Sequence, residues 1–429
     1  MRVLIAPIEV SGFYRALNAG FQELGVDSIF AELWPHPFQY ASSDADYAPP
    51  ISWARSLARR QRSAPRRSLR RAFWLMVGGF VRLFIFVWSL PRFDVFVFGF
   101  GHTIMYAPWL ELRVLKALRK KIVFHFHGSD SRPPYLDGYL NASDESGARP
   151  DFARLAKATK RRVEVIDRYA DIVVDNPLSA HFHTRECING FAIGIPSVQR
   201  TAPSLPPARE GTVSPLRILH APSHLEAKGT PVIRATIQEL LSEGISLEYV
   251  EIIGQPNERV LEELARCDFV IDQLYSDTPM AGFAAEAARF GKPAIVCGYA
   301  LDEFRKWIPP EATPPSYYCH PSDLKIAIAR LAMNTEFRND LGGRARAFFD
   351  LRCRPRDVAQ RYLAAIKGEC PSAWKFDPRC ITYLEGCGLS EEKARQRISE
   401  LVSTHGSPAL QLEDKPALKS ALVAFGART

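Results

Sequence analysis

Residues 275–297 read YSDTPMAGFAAEAARFGKPAIVC, and this stretch decides the fold. Residues 281–290 have high helix propensity, Gly291 suits the left-handed position after a helix, and Pro293 cannot continue the helix. An apolar strand follows, and residues 268–272 upstream predict another buried strand. The loop and the helix start therefore lie at the carboxyl end of a parallel sheet, where α/β proteins bind ligands. Glu286, an acidic residue on an alanine-rich helix, becomes a candidate ligand residue.

The same alternation of strands and helices runs from the N-terminus to residue 367 and predicts the α/β class with two Rossmann-like domains. Residues 1–200 form the first domain and residues 216–367 the second, joined by a proline-rich linker at 201–215. Residues 368–429 carry no recognisable chemistry and predict a small helical tail. A chain of 429 residues is too long for one hydrophobic core, which agrees with this division.

The positive charge of the chain is concentrated in one segment. The net charge is +8, and residues 55–71 contain eight arginines without an acidic residue. An aromatic, apolar run follows at 73–90, but Arg82 at its centre would cost about 2.5 to 3.5 kcal/mol to insert into a bilayer, which argues against a membrane span. Two interpretations of residues 55–90 stay open: a buried helix of the first domain, or a contact with an anionic membrane surface. No nucleic-acid-binding module accompanies the arginines, so no nucleic-acid partner is expected.

The cysteines and the N-terminus favour a cytoplasmic protein. The eight cysteines form no CxxC pair, which is typical of reduced thiols. The apolar run at residues 1–8 meets Glu9 at once, so no signal peptide is predicted. Peripheral attachment to the inner face of the cell membrane is compatible with this location.

Loops after predicted strands supply the other candidate residues. His127 follows the strand at 121–126 and is as well explained by a structural hydrogen bond as by a role in catalysis. Gly12, in the first loop, would let a ligand approach the backbone. Lys228 and Gly229 precede a helix at 231–242, whose free N–H groups are expected to bind a diphosphate with the lysine. The alternative for Lys228 is a solvated loop lysine.

Three segments together resemble the GT-B glycosyltransferases, most closely the retaining, family 4 type. They are HGSD at 127–130, APSHLEAKGT at 221–230 and GFAAEAARFGKPAIV at 282–296. The resemblance implies two Rossmann-like domains facing each other across a cleft. It also implies that Glu286 holds the ribose of a nucleotide-sugar, that Lys228 holds its diphosphate, and that His127 lies by the sugar.

The sequence departs from this family pattern at two places. Thr278 stands where family members usually have a glutamate, eight residues before Glu286. Ser223 and His224 stand where an arginine often precedes the lysine, and His224 is expected to compensate for the missing charge.

The resulting expectation is a retaining glycosyltransferase that uses a UDP- or GDP-sugar and a polysaccharide or lipid-linked acceptor, with no cofactor and no metal. Its expected catalytic residues are His127, Asp130 and Lys228, and its expected donor-binding residues are Gly12, His224, Lys228, Gly229, Thr278, Gly282 and Glu286. Asp44 and Asp46 imitate a metal-binding motif but are interpreted as a coincidence in a loop. The alternatives are a nucleotide-sugar epimerase or phosphorylase of the same architecture, or a catalytically silent protein that binds a glycan or serves as a scaffold.

Overall fold

The computed structural model describes residues 1–34, 47–65, 68–141, 150–197 and 215–428. Asp44, Asp46 and nearly all of the predicted linker lie outside these residues. Two sheets, parallel except for one short edge strand, make up the described chain with their helices, and the predicted fold class is confirmed.

The first domain is built on a sheet whose strands are covered on both faces. Its elements are β1 (Arg2–Ala6), α1 (Phe13–Glu23), β2 (Asp27–Phe30), α2 (Pro49–Ser63), α3 (Leu69–Ser89), β3 (Val95–Gly99), α4 (Pro108–Ala117), β4 (Lys121–His125), α5 (Phe152–Tyr169), β5 (Ile172–Asp175), β6 (Cys187–Asn189) and α6 (Gly190–Ile193). The strands lie in the order β6, β5, β4, β3, β1, β2, all parallel. Because successive side chains point to opposite faces, Leu4 enters one core while Val3 and Ile5 enter the other.

The second domain repeats the same plan with fewer strands. Its elements are β7 (Leu216–His220), α7 (Thr230–Ser242), β8 (Leu247–Glu251), α8 (Asn257–Arg266), β9 (Phe269–Gln273), α9 (Gly282–Arg289), β10 (Ala294–Cys297), α10 (Leu301–Trp307), β11 (Tyr317–Cys319), α11 (Leu324–Met333) and α12 (Thr335–Arg352). The sheet order is β11, β10, β9, β7, β8. Gly291 adopts a φ of 67°, so the helix within the opening stretch ends as its sequence predicts.

The chain returns to the first domain after α12. Helix α13 (Pro355–Lys367) packs on α1, and a Cβ added to Gly20 would lie 2.1 Å from the carbonyl oxygen of Pro355. The absence of a side chain at Gly20 therefore permits this close crossing. Strand β12 (Lys375–Phe376) pairs antiparallel with β6. Helices α14 (Glu391–His405) and α15 (Pro416–Gly426) add apolar side chains to the first core: Ile398, Leu401, Leu422 and Phe425. The helical tail predicted at 368–429 thus completes the first domain.

Helix α3 is the exception to this covered architecture. Among the described residues, α3 is the one helix whose length and apolar composition would allow it to cross a membrane. Only 28% of its most apolar window is buried. Its side chain Arg82 points inward, donates from Nη1 to the Ile104 carbonyl at 2.9 Å, and lies 3.9 Å from the Trp34 ring centre. The interpretation of residues 73–90 as a buried helix therefore holds for one face only.

Candidate active site

The carboxyl ends of the two sheets meet, and polar contacts join them. Asp277, which follows β9, forms a buried ion pair with Arg132, which follows β4. The Asn176 side-chain amide donates to the Asp277 carbonyl at 3.2 Å, and the Tyr139 hydroxyl donates to the Gln273 side-chain oxygen at 3.0 Å. Ligands bind at this edge of parallel sheets, so the junction is the candidate active site.

His127 and Asp130 lie in one tight turn on the first-domain side. The Nε2 atom of His127 is 2.8 Å from the Tyr14 hydroxyl, and burial lowers the pKa of His127 to about 3. The Oδ1 atom of Asp130 accepts the His127 backbone N–H at 2.8 Å. Burial, with the nearby Asp175 carboxylate, raises the pKa of Asp130 to about 7. At neutral pH the turn therefore presents an uncharged imidazole and a carboxyl group that is partly protonated.

Gly12 lies at the start of α1 with a φ of 81°, which explains the glycine by backbone conformation alone. Nothing lies within 4 Å of a Cβ added there. The first-turn amides of α1 are already engaged, because the Glu9 carboxylate accepts the N–H groups of Tyr14 at 3.1 Å and Arg15 at 3.0 Å. An anion is therefore not expected to bind at the N-terminus of this helix.

Lys228 belongs to a buried ion pair on the second-domain side. Its ammonium group donates to Asp272 Oδ1 at 3.0 Å, and the lysine and aspartate side chains are 11% and 0% exposed. The interpretation of Lys228 as a solvated loop lysine is therefore wrong. An ammonium group has three protons, so it can keep Asp272 and still donate to a second anion.

Gly229 allows the loop to reach the start of α7. It adopts a φ of 73°, and a Cβ placed on it would lie 2.5 Å from the Leu274 Cβ. The tight packing holds Lys228 next to the end of β9, where the Leu274 N–H donates to the Lys228 carbonyl at 3.1 Å.

The amides at the start of α7 are engaged, contrary to the prediction that they are free. The N–H group of Lys228 donates to the His224 carbonyl, that of Gly229 to Glu226, that of Thr230 to Leu225 and that of Val232 to Gly229, all at 2.9 to 3.1 Å. Pro231 has no N–H group. The prediction fails because residues 224–229 form consecutive turns that lead directly into the helix and use its first donors.

The first-turn amides of α9, by contrast, are open. Among the described residues, no acceptor bonds the N–H groups of Gly282 or Phe283. A Cβ added to Gly282 would lie 3.8 Å from the Ser11 Cβ of the first domain, so this helix start faces the junction. Open amides and the helix dipole together favour a phosphate group.

Glu286 lies one turn after Gly282 and therefore on the same face of α9. It is half-buried, and its Oε1 atom accepts the Asn257 side-chain amide at 3.0 Å. Asn257 begins α8, so the contact connects the loop after β8 to α9. A carboxylate in this position can accept hydrogen bonds from a pair of hydroxyl groups.

Thr278 and Asp277 leave no uncommitted carboxylate where the family pattern has a glutamate. The Thr278 hydroxyl donates to the Met280 carbonyl at 3.3 Å, and its backbone N–H donates to the Ser276 hydroxyl at 3.2 Å. The Asp277 carboxylate is paired with Arg132. The acidic residue beside Thr278 therefore joins the two domains.

His224 lies in the loop before α7, and residues of the C-terminal segment lie next to this loop. The Nδ1 atom of His224 accepts the Ala227 N–H at 3.2 Å, and its ring lies 6.0 Å from that of Tyr139. A cavity of about 130 Å³ lies nearby, lined by Glu226, Gly229, Pro231, Val232, Tyr275, Gly388, Ser390 and Lys393. Residues 388–393 come from the tail, which the sequence did not connect with the site.

The described ranges contain no group of three or more His, Cys, Asp or Glu side chains that could hold a metal ion. Sequence reasoning missed the partners Tyr14 and Arg132, and it gave no role in the site to Asp272, the carboxylate at the end of a predicted strand. Arg132 follows Asp130 by two positions in a loop after a strand, which could have marked it as a residue of the site.

No family model matches the chain, and no curated protein matches it. Among solved structures, HepE of Anabaena in complex with UDP is similar at 12% identity and a TM-score of 0.47, covering 86% of this chain and 100% of its own. The spinosyn rhamnosyltransferase SpnG is similar at 16% identity and a TM-score of 0.41, covering 85% and 100%. The glycosyltransferase SnogD of Streptomyces nogalater gives 16% and 0.41, covering 85% and 99%. These similarities are weak.

Proposed function

We propose that this protein is a glycosyltransferase that moves a sugar from a UDP- or GDP-sugar to a polysaccharide or lipid-linked glycan acceptor. One observation carries the proposal: a single face of α9 presents the open amide of Gly282 and, one turn later, the carboxylate of Glu286. The buried cation Lys228 lies at the adjoining strand end. A group that binds anions beside a group that accepts hydroxyl protons matches the diphosphate and ribose of a nucleotide.

The sugar would lie beyond the diphosphate, between the two domains. The turn that holds His127 and Asp130 belongs to the opposite sheet edge, and the Arg132–Asp277 ion pair connects that turn to the loop before α9. The Nε2 atom of His127 contacts the Tyr14 hydroxyl, whereas its Nδ1 atom has no hydrogen-bond partner among the described residues. The neutral ring can therefore use Nδ1 for a hydroxyl of the donor sugar or the acceptor.

In the proposed reaction, the acceptor hydroxyl attacks the anomeric carbon from the face that the nucleotide diphosphate leaves. The bond from the anomeric carbon to the phosphate oxygen breaks, the bond to the acceptor oxygen forms, and the acceptor proton passes to the leaving phosphate. Attack from the same face retains the anomeric configuration. Lys228 and the amides of α9 stabilise the negative charge that grows on the leaving group. This scheme requires no metal ion.

The proposed setting is the cytoplasm. The UDP- or GDP-sugar would reach the junction from the cytoplasm. All eight cysteines are free thiols in the structure, which supports a reducing compartment. We include peripheral attachment to the inner face of the cell membrane in the proposal.

Nucleotide binding tests the donor site. UDP and GDP should be titrated calorimetrically into the wild type, Glu286→Ala and a control, Glu262→Ala, whose side chain on α8 is 51% exposed. Loss of charge-assisted hydrogen bonds of about 1.5 to 3 kcal/mol should weaken binding about 10- to 150-fold in Glu286→Ala. The control should bind as the wild type does. No binding of either nucleotide, or binding that Glu286→Ala leaves unchanged, would contradict the donor site.

Product analysis separates the proposed reaction from its alternatives. A glycosyltransferase should release free nucleotide diphosphate in step with glycosylation of an added acceptor, whereas an epimerase should convert the nucleotide-sugar without releasing it. A silent binding protein should bind the nucleotide and release nothing with any acceptor. The anomeric configuration of the product, read by NMR, tests retention, and activity in excess chelator tests the absence of a metal requirement.

A further inference from the structure

Helix α3 presents two different faces to its surroundings. The face that packs on the domain buries residues at intervals of three and four: Gly78, Arg82, Ile85 and Ser89. The opposite face carries an unbroken apolar row with the same spacing, which we call the outer stripe: Leu69, Phe73, Met76, Phe80, Leu83 and Val87. One side of the helix therefore belongs to the core, and the other is open.

The outer stripe is long and well exposed. Leu69 is 91% exposed, Phe80 67% and Met76 57%. At a rise of about 1.5 Å per residue, the stripe extends for roughly 27 Å along the surface. Single exposed apolar residues are ordinary, but a continuous row of this length marks an interaction surface.

Arg82 does not interrupt the outer stripe, because its side chain points the other way. Its guanidinium lies over the rings of Trp34 and Tyr106, at 3.9 and 4.9 Å from their centres. Arg82, which argued from sequence against a membrane span, thus fixes the helix to the domain and leaves the apolar face outward.

The charged residues of the segment that contains the outer stripe have one sign. Residues 49–90 contain nine arginines and no Asp, Glu or Lys. Arg60 and Arg70 are exposed near the N-terminal end of α3. Exposed aromatic side chains beside arginines are suited to an interface where acyl chains lie below anionic headgroups. A second copy of this chain would place two arginine-rich segments together with no acidic residue in either to pair with them.

We propose that the outer stripe and its neighbouring arginines dock this protein on an anionic lipid surface. The Trp34 ring, on which Arg82 lies, is 5.1 Å from the ring of His102, and both residues follow strands at the carboxyl edge of the first sheet. The docked surface therefore adjoins the edge that faces the second domain. If the protein has the proposed function, an acceptor carried on a lipid would reach the junction from this side, and this part of the inference rests on that function.

Flotation with lipid vesicles tests the docking surface. We expect the wild type to float with phosphatidylcholine vesicles that contain about 30% phosphatidylglycerol, and to bind pure phosphatidylcholine at least about tenfold less. About 0.5 M salt should release it, because screening weakens the arginine contribution. The triple variant Phe73→Ser, Met76→Ser, Phe80→Ser should lose binding about tenfold or more, and Arg60→Glu with Arg70→Glu should weaken binding to the anionic vesicles.

Two matched controls keep this test specific. Ile326→Ser, Met333→Ser and Leu351→Ser remove apolar side chains that are 64%, 72% and 71% exposed on α11 and α12, and should leave flotation unchanged. Arg354→Glu with Arg356→Glu makes the same charge change at exposed positions around the start of α13. Glu286→Ala should still float, so a failure of the donor site and a failure of docking can be told apart.

Four results would overturn the docking surface. The wild type could stay in solution with anionic vesicles, or the control triple variant could lose as much binding as the stripe variant. Binding to both vesicle types that resists alkaline carbonate would indicate a membrane span instead. Self-association by light scattering that disappears in the stripe variant, without vesicle binding in the wild type, would show that a second copy covers the stripe.

Discussion

Replacing Lys228 by methionine removes the cation proposed for the diphosphate and also isolates Asp272. The Asp272 side chain is 0% exposed, and its Oδ2 atom has no hydrogen-bond partner among the described residues. Removing one partner of a buried ion pair costs about 3 to 5 kcal/mol, because the other charge stays buried without compensation. We expect Lys228→Met to lower the free energy of unfolding by about this amount. We also expect it to weaken binding of a nucleoside diphosphate about 10- to 150-fold, as the loss of one charge-assisted hydrogen bond implies.

A second substitution separates the two effects. In Lys228→Met with Asp272→Asn, the buried charge is gone, so stability in urea unfolding at pH 7 should return to near the wild-type value. The affinity for UDP or GDP should remain low in calorimetric titration, while the affinity for the unphosphorylated nucleoside should change little throughout the series. Recovery of diphosphate binding in the double variant, or an equal loss of nucleoside binding in Lys228→Met, would refute the assignment of this lysine to the diphosphate.

Two further predictions concern the turn at Asp130 and the loop at Gly229. Burial raises the pKa of Asp130 to about 7, so the stability that its protonated form contributes is present below about pH 4 and is lost as the pH rises through 7. In urea unfolding, Asp130→Asn should therefore be more stable than the wild type at pH 8, by up to about 4 kcal/mol. At pH 4 the two proteins should be equally stable. A gain in stability that does not depend on pH would contradict this prediction. Gly229→Ala should lose about 2 to 5 kcal/mol, since left-handed strain adds to a Cβ contact of 2.5 Å with Leu274. Gly25 has the same φ of 73°, but the space around an added Cβ is open there. Gly25→Ala should therefore lower the free energy of unfolding by only about 1 to 2 kcal/mol in the same thermal or urea assay. Equal losses in the two variants would show that the contact with Leu274 is harmless.

The fold could be predicted from sequence because its signals are local. Apolar strands followed by amphipathic helices, and stops such as Gly291, are read within windows of about 10 to 20 residues. The helix and the strand in residues 275–297 fall where propensity and the helix stop place them. Helices α14 and α15 could likewise be found, but their packing on the first domain depends on contacts between residues far apart in sequence, for which one chain gives no signal.

The candidate site was predictable in its residue types and unpredictable in its pairings. Lys228 is a cation before a helix whichever partner it has, but its pairing with Asp272 depends on how two segments far apart in sequence pack. The start of α7 shows the limit most clearly. Its sequence is typical of a helix with open amides, yet the preceding turn through His224 uses those donors, and only backbone geometry reveals this.

The Arg132–Asp277 ion pair links the turn at His127 and Asp130 to the loop before α9, where we propose the donor site. Arg132 lies two residues after Asp130, and Asp277 lies five residues before Gly282, so one contact sets the distance between the two loops. Both side chains are almost fully buried, which makes it costly to separate the domains without supplying water or another partner to the charges. A nucleotide-sugar bound as we propose would place its negative charge near this pair and near Lys228. On the proposed function, the donor sugar would either fit the junction with this pair intact or draw Arg132 away from Asp277, and the same two side chains would then link donor binding to the contact between the domains.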